Sequence, residues 1–108
     1  GYLMVEKGRA DNMKFEYEQF TPRVGDLVVD GHDGAHGVVV NVGHWHTFAY
    51  FVEQGAVKIL VLQVLLPEYN GLVEQYSLKC TEKNGNEVVQ SPLRFLQRED
   101  VVLLKTNF

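Results

Sequence analysis

At 108 residues, with 45% hydrophobic and 22% charged side chains, the chain has the size and composition of one ordinary globular domain. Its longest apolar run, Ala56 to Leu66, is broken by Lys58 and Gln63, well short of the ~20 residues a membrane-crossing helix needs. The formal charge of −4 lies wholly in residues 24–70, where five acidic side chains stand against Lys58 alone, and this disfavours nucleic acid, whose phosphates call for a basic patch.

Residues 1–12 show no periodicity and read as a leader or loose arm, so a single β-barrel domain is expected over 13–108. The first residues lack the basic start and apolar middle of a signal peptide. One cysteine, Cys80, suits a reducing compartment, and the cytoplasm is the expected location. In "MKFEYEQF", Met13, Phe15 and Tyr17 alternate with Lys14, Glu16 and Glu18, the period of a half-buried strand. Thr21-Pro22-Arg23 turns the chain into "DLVVD" (26–30), and the loop "GHDGAHG" (31–37) leads into "VVVNV" (38–42), a strand apolar on both faces. Gly43-His44 reads as a turn into the aromatic strand "WHTFAYFVE", and Gln54-Gly55 as a turn into the long strand 56–66.

"PEYNG" (67–71) closes that strand and opens the next, so residues 56–81 form an elongated hairpin. Asn84-Gly85 is the strongest short hairpin signal in the chain and leads into strand 87–90. "SPLRFLQRED" is the one helical piece, with Ser91 as N-cap, Pro92 at the first position, and Leu93 and Leu96 facing inward. "VVLLK" is the last strand. Many short strands, tight turns and one short helical turn before the last strand define an all-β barrel or sandwich.

"RVGDLVVDGHDGAHGVVVNV" resembles the start of SH3-like small barrels of the KOW and Tudor kind. In those, a Gly-Asp-x-Val strand passes through a glycine-bearing loop into a Gly-x-Val strand; here Gly25, Asp26, Val28, Gly31, Gly34, Gly37 and Val39 carry the likeness. The wider "GDLV…GVVV…DVVLL" outline is similar to that of many small phage and bacterial proteins. The resemblance implies a small SH3-like barrel over residues 23–104 and, from the KOW side, contact with RNA or protein. The usually basic loop positions read His32, Asp33, Ala35 and His36 here, which turns the expectation from RNA towards protein. A Tudor-type aromatic cage would draw on Trp45, Phe48, Tyr50 and Phe51, for which core packing competes.

"GHWHTFAYFVEQG" is similar to the first cupin motif, which implies a jelly-roll sandwich as the alternative fold and a metal-dependent enzyme as the alternative function. Phe48 stands where that motif has its glutamate. "GDLV…AHGVVV" resembles the histidine strand of papain-like cell-wall peptidases, with His36 as base, but there the cysteine precedes the histidine. Here Cys80 follows it, in an alternating strand that would bury it.

All four histidines fall within residues 32–46, and His32, His36, His44 and His46 are the metal candidates. His44 and His46, two apart on a strand, share a face; His32 and His36 flank the loop near Asp30 and Asp33. With a strand over 38–42, His36 and His44 lie about 26 Å apart at opposite ends of one hairpin. Each pair offers two nitrogens where zinc sites use three or four protein ligands, so no metal and no cofactor is expected. "GHDGAHG" lacks the following helix or nearby lysine of a phosphate loop.

The expectation is a non-catalytic binding or structural module that engages a protein partner or its own copies, with no membrane association. The loop ends supply His32, Asp33, His36, Trp45, Tyr50 and Phe51 as candidate binding residues. The strand "VKILVLQVLL", apolar on both faces, supplies Val57, Ile59, Leu60, Val61, Leu62 and Val64 as interface candidates. The leader or the 67–81 hairpin is the alternative cover for that strand. Metal-dependent catalysis through the histidines and KOW-like nucleic-acid binding are the competing functions.

Overall fold

Alternating apolar residues give strands along nearly the whole chain, and the strands join into one sheet. A computed structural model describes residues 14–51 and 55–107, with the side chains of 49–51 and 55 excepted. The leader 1–12 and the turn after Phe51 lie outside the described residues. The strands are β1 (Phe15–Glu18), β2 (Leu27–Asp30), β3 (His36–Val42), β4 (His46–Phe51), β5 (Gly55–Leu66), β6 (Leu72–Lys83), β7 (Asn86–Ser91), β8 (Leu93–Leu96) and β9 (Val102–Thr106). The sheet runs β8-β2-β3-β5-β6-β7-β1-β9, antiparallel throughout, with β4 also on β5. It is all-β and curls into a half-barrel, the architecture of a small barrel and not the two facing sheets of a jelly roll.

The elongated hairpin is present: β5 and β6 pair from Lys58↔Cys80 to Leu66↔Leu72. Its concave face carries Leu60, Leu62, Val64, Leu66, Tyr76 and Leu78, all at 1% exposure or less. Each such Leu or Val contributes about 1.5–3 kcal/mol by leaving water. The β6–β7 turn is the expected Asn84-Gly85, with φ of 53° and 82° at the two residues. Both torsions lie in the left-handed region that a two-residue hairpin turn of matching twist requires.

The open side of the curl is bridged by side chains. Tyr17 on β1 accepts a hydrogen bond from the Phe95 backbone N–H on β8 at 2.9 Å. Its ring packs against Phe20 and Phe95 at centroid distances of 5.1 and 6.0 Å. Burial pushes the Tyr17 phenol above its ordinary range, so it stays a neutral, hydrogen-bonding strut.

Two expectations are corrected. Gly43 does not turn the chain: β3 and β4 run in the same direction along one edge of β5, as Val42↔Leu62 and His46↔Ile59 show. Gly43 N–H stays on the ladder, donating to Val61 O at 2.8 Å. A Cβ there would stand 2.8 Å from the same oxygen, so this glycine marks a close backbone approach, not a reversal.

Nor do residues 91–100 form a helical turn before the last strand. Leu93 to Leu96 is β8, paired with Asp30 to Leu27 of β2. Ser91 Oγ takes the Leu93 N–H at 2.9 Å as a cap would, but donates to Leu93 O at 2.7 Å, while Pro92 O accepts from Gly31 N. The chain turns a corner there and continues extended. Leu93 and Phe95 are buried with Arg94 exposed between them, a period of two that wins over the Leu93/Leu96 spacing. The one helical turn among the described residues is the 3₁₀ turn Pro67–Tyr69, and none of them forms a helix long and apolar enough to cross a membrane.

Candidate interaction surface

On the convex face, the strand register lines up one apolar side chain from each of five neighbouring strands. Leu96 on β8 pairs with Leu27 on β2, Leu27 with Val38 on β3, Val38 with Leu65 on β5, and Leu65 with Val73 on β6. Their sequence neighbours Phe95, Val28, Val39 and Val64 point into the core, which fixes these five on the outer side. Leu27 is 41% and Val73 43% exposed, and the other three are partly exposed.

One flanking row is polar, and the other mixes a charged and a polar side chain with an apolar one. On one side run Asn41, Gln63 and Gln75, paired across β3, β5 and β6. On the other run Arg94, Val29 and His36 across β8, β2 and β3. Where β5 ends, Pro67 and Glu68 complete a shallow depression of about 320 Å³ over Leu27, Gly37 and Val38, with His36 at its rim.

The rim is built by the loop 31–35 meeting the turn 67–71. His36 Nδ1 lies 3.2 Å from Glu68 Oε1, and Tyr69 Oη donates to Asp33 Oδ2 at 2.5 Å. Asp33 Oδ1 also accepts the Ala35 N–H at 3.0 Å, tying the loop to itself. Below the loop, Asp30 is 1% exposed and accepts from Tyr76 Oη at 2.8 Å and from the His32 N–H at 2.7 Å. Burial, and then the Asp30 carboxylate, raise the Tyr76 phenol far above its ordinary range. A buried carboxylate thus anchors the loop on the core, and His32 and His36 project from an ordered support.

The four histidines do not come together. His36 opens β3 and His46 opens β4, and their registers on β5 set them about eight residues apart along one interrupted strand, about 26 Å at extended rise. They stand at opposite ends of a single strand line, not of a hairpin. Among the described residues no three His, Cys, Asp or Glu side chains gather as a metal site would require.

At the β4 end, Trp45 packs partly on the core and its Nε1 approaches Thr21 Oγ1 at 3.4 Å. It borders a cavity of about 310 Å³ shared with Lys58, Cys80 and Glu87. Lys58 Nζ and Glu87 Oε2 lie 2.5 Å apart, and that contact raises the lysine's ordinary value. Burial pushes the Cys80 thiol up, which suppresses the nucleophilic thiolate. The side chains of Tyr50 and Phe51 lie outside the described residues, and Phe48 is exposed.

Among the interface candidates on β5, Leu60, Leu62 and Val64 are consumed by the core of this chain, and Val57 is buried as well. Ile59 and Val61 are half-buried on the convex face. The strand is apolar on both faces, but its partly open apolar surface centres on Leu65 and the neighbours that register gives it. Leu27, Val38, Val73 and Leu96 were missed because they come from separate strands, and no local pattern states the register. Glu68 and Tyr69 were read only as turn residues. No family model, no curated protein and no solved structure matches the chain.

Proposed function

We propose that this protein is a non-catalytic binding module whose convex stripe, Leu96–Leu27–Val38–Leu65–Val73, docks an apolar segment of a protein partner. The single observation that carries this reading is the cross-strand register that lines up five apolar side chains, with a polar row on one side and the mixed row Arg94, Val29 and His36 on the other. An apolar core with a polar rim is the anatomy of a protein interface. The buried thiol and the separated histidines favour binding over catalysis. An SH3-like kinship resting on the β2–loop–β3 hairpin belongs to the same proposal, as does a cytoplasmic setting.

The test is differential capture with the immobilised full chain and a Leu27→Ser/Val73→Ser double variant. The reading expects one or more proteins held by the wild type and lost by the variant, with melting temperatures within about 5 °C of each other, since both positions are partly exposed already. Equal capture by a folded variant overturns it.

A further inference from the structure

We infer that the cavity at one end of the half-barrel, between Trp45 and the Lys58–Glu87 ion pair, binds a single neutral sugar ring. The inward-facing row of β5 runs Leu66, Val64, Leu62 and Leu60, all at 1% exposure or less, and then reaches Lys58. β7 does the same, with Ser91 and Val89 buried and Glu87 next on that face. The pairs Lys58↔Cys80 and Cys80↔Val89 set the two rows side by side, with β6 between them. A core that turns polar at its end, with room left beside it, is the mouth of a barrel, where small-molecule sites recur. The cavity holds about 310 Å³. That is the small end of the range for such sites, about 300–1,000 Å³, and suits one ring, not a chain of them.

The lining selects the chemistry of the ligand. Lys58 Nζ and Glu87 Oε2 lie 2.5 Å apart on side chains 39% and 42% exposed, so the pair is neutral as a whole and gives no net attraction to an anion or a cation. Neither side chain makes a second hydrogen bond among the described residues, which leaves ammonium hydrogens on Lys58 and the other carboxylate oxygen on Glu87. A hydroxyl both donates and accepts, so neighbouring hydroxyls meet both groups without separating them. A charged ligand would have to displace one member of the pair and leave it uncompensated.

The remaining walls agree. Gln19 adds an amide, donor and acceptor in one group, with no side-chain hydrogen bond among the described residues. Its φ of 41° lies in the left-handed region that a glutamine seldom takes, and its N–H is tied to Glu87 O at 3.1 Å, so both residues are held beside the same space. Trp45 supplies apolar surface, with its Nε1 already directed at Thr21 Oγ1 at 3.4 Å. Phe20 backs the cavity, its ring 4.5 Å from that of Phe95 and 5.0 Å from the Arg98 guanidinium. A sugar ring has C–H faces and a rim of hydroxyls, so it meets the indole with one and Lys58, Glu87 and Gln19 with the other. The site lies on the concave side and does not depend on the convex stripe.

Trp45 is the only tryptophan in the chain, so its fluorescence reads the cavity directly. The full chain is titrated with glucose, galactose, mannose and N-acetylglucosamine, each beside its methyl glycoside, and with lysine and glutamate as charged controls. A Lys58→Met/Glu87→Met variant runs alongside, since it removes both polar heads and leaves no unpaired charge. The expected result is a saturable response to at least one sugar, with a dissociation constant in the millimolar range usual for so small a neutral ligand. The variant should bind it at least about tenfold more weakly, the loss of two hydrogen-bonding groups. Binding of the free sugar alone assigns the cavity to a monosaccharide, and equal binding of the glycoside assigns it to the end of a glycan; either supports the inference. No saturable response to any of the sugars overturns it, as does an equal or stronger response to the charged controls, or a folded variant that binds as well as wild type. Should the variant not fold, NMR of the wild type decides: the sugar must shift the amides of Gln19, Thr21, Lys58 and Glu87 and the Trp45 indole N–H, and shifts centred elsewhere refute the site.

Discussion

Removing the Tyr76 hydroxyl asks whether one buried polar pair fixes the loop 31–35 to the barrel. Tyr76 is 0% and Asp30 1% exposed, their bond is 2.8 Å long, and the other carboxylate oxygen holds the His32 N–H at 2.7 Å. Tyr76→Phe keeps the ring packing and takes a charge-assisted bond from a buried carboxylate, worth about 1.5–3 kcal/mol. With each 1 kcal/mol moving a domain of this size by about 4–8 °C, a loss of roughly 2 kcal/mol lowers Tm by about 8–16 °C. Urea denaturation followed by Trp45 fluorescence measures it, with the slope unchanged because the exposed surface is the same. A loss below about 0.5 kcal/mol would refute the reasoning, since that is the scatter of surface substitutions.

The same pair predicts a pH response. Burial and Asp30 raise the folded-state value of the Tyr76 phenol. A raised value means stability intact below the unfolded phenol's pKa of about 10 and lost as pH rises above it. Wild type should therefore weaken above about pH 10 more steeply than Tyr76→Phe. Tyr17, also raised by burial, contributes to the slope that remains.

Other substitutions test the remaining joints of the fold. Ser91→Ala removes both corner bonds to Leu93 in a fully buried position and should cost about 1–3 kcal/mol by chemical denaturation. At Gly43, alanine sets its Cβ against Val61 O; Gly43→Ala should melt lower than wild type, whereas a true turn glycine in open space would tolerate the methyl. Arg98 holds the Asp100 carboxyl below its ordinary range. A lowered folded value gives stability present above the unfolded pKa and lost as pH falls, so Asp100→Asn should flatten the melting-temperature profile below about pH 4. Cys80, at 5% exposure with its thiol raised by burial, should react with a thiol reagent at pH 8 only as fast as the chain unfolds.

Strands were legible wherever one face is buried, because Phe15 and Tyr17 on β1 or Leu60, Leu62 and Val64 on β5 repeat at the strand period. The Asn84-Gly85 hairpin was legible from its torsional demand. Two signals carried a second meaning that only tertiary contacts resolve. Glycine serves both turns and close approach, and Gly43 is the latter. Ser-Pro opens helices and also turns corners, and β2 pairing chose the corner for Ser91-Pro92. The candidate surface was the least legible part. The histidine-bearing loop was visible as a motif, and the structure places His36 at the rim of the stripe. The stripe itself exists only once five strands are in register, since its members lie at residues 27, 38, 65, 73 and 96.

The central claim is that the convex stripe is where this protein meets its partner. The most direct measurement is cross-saturation NMR on the labelled chain bound to the protein that wild type captures. Saturation transfer is expected to concentrate on the amides of Leu27, Val38, Leu65, Val73 and Leu96, with His36 and Glu68 at the margin. Transfer centred on the concave-side cavity around Trp45, Lys58 and Glu87, with the stripe silent, would contradict it.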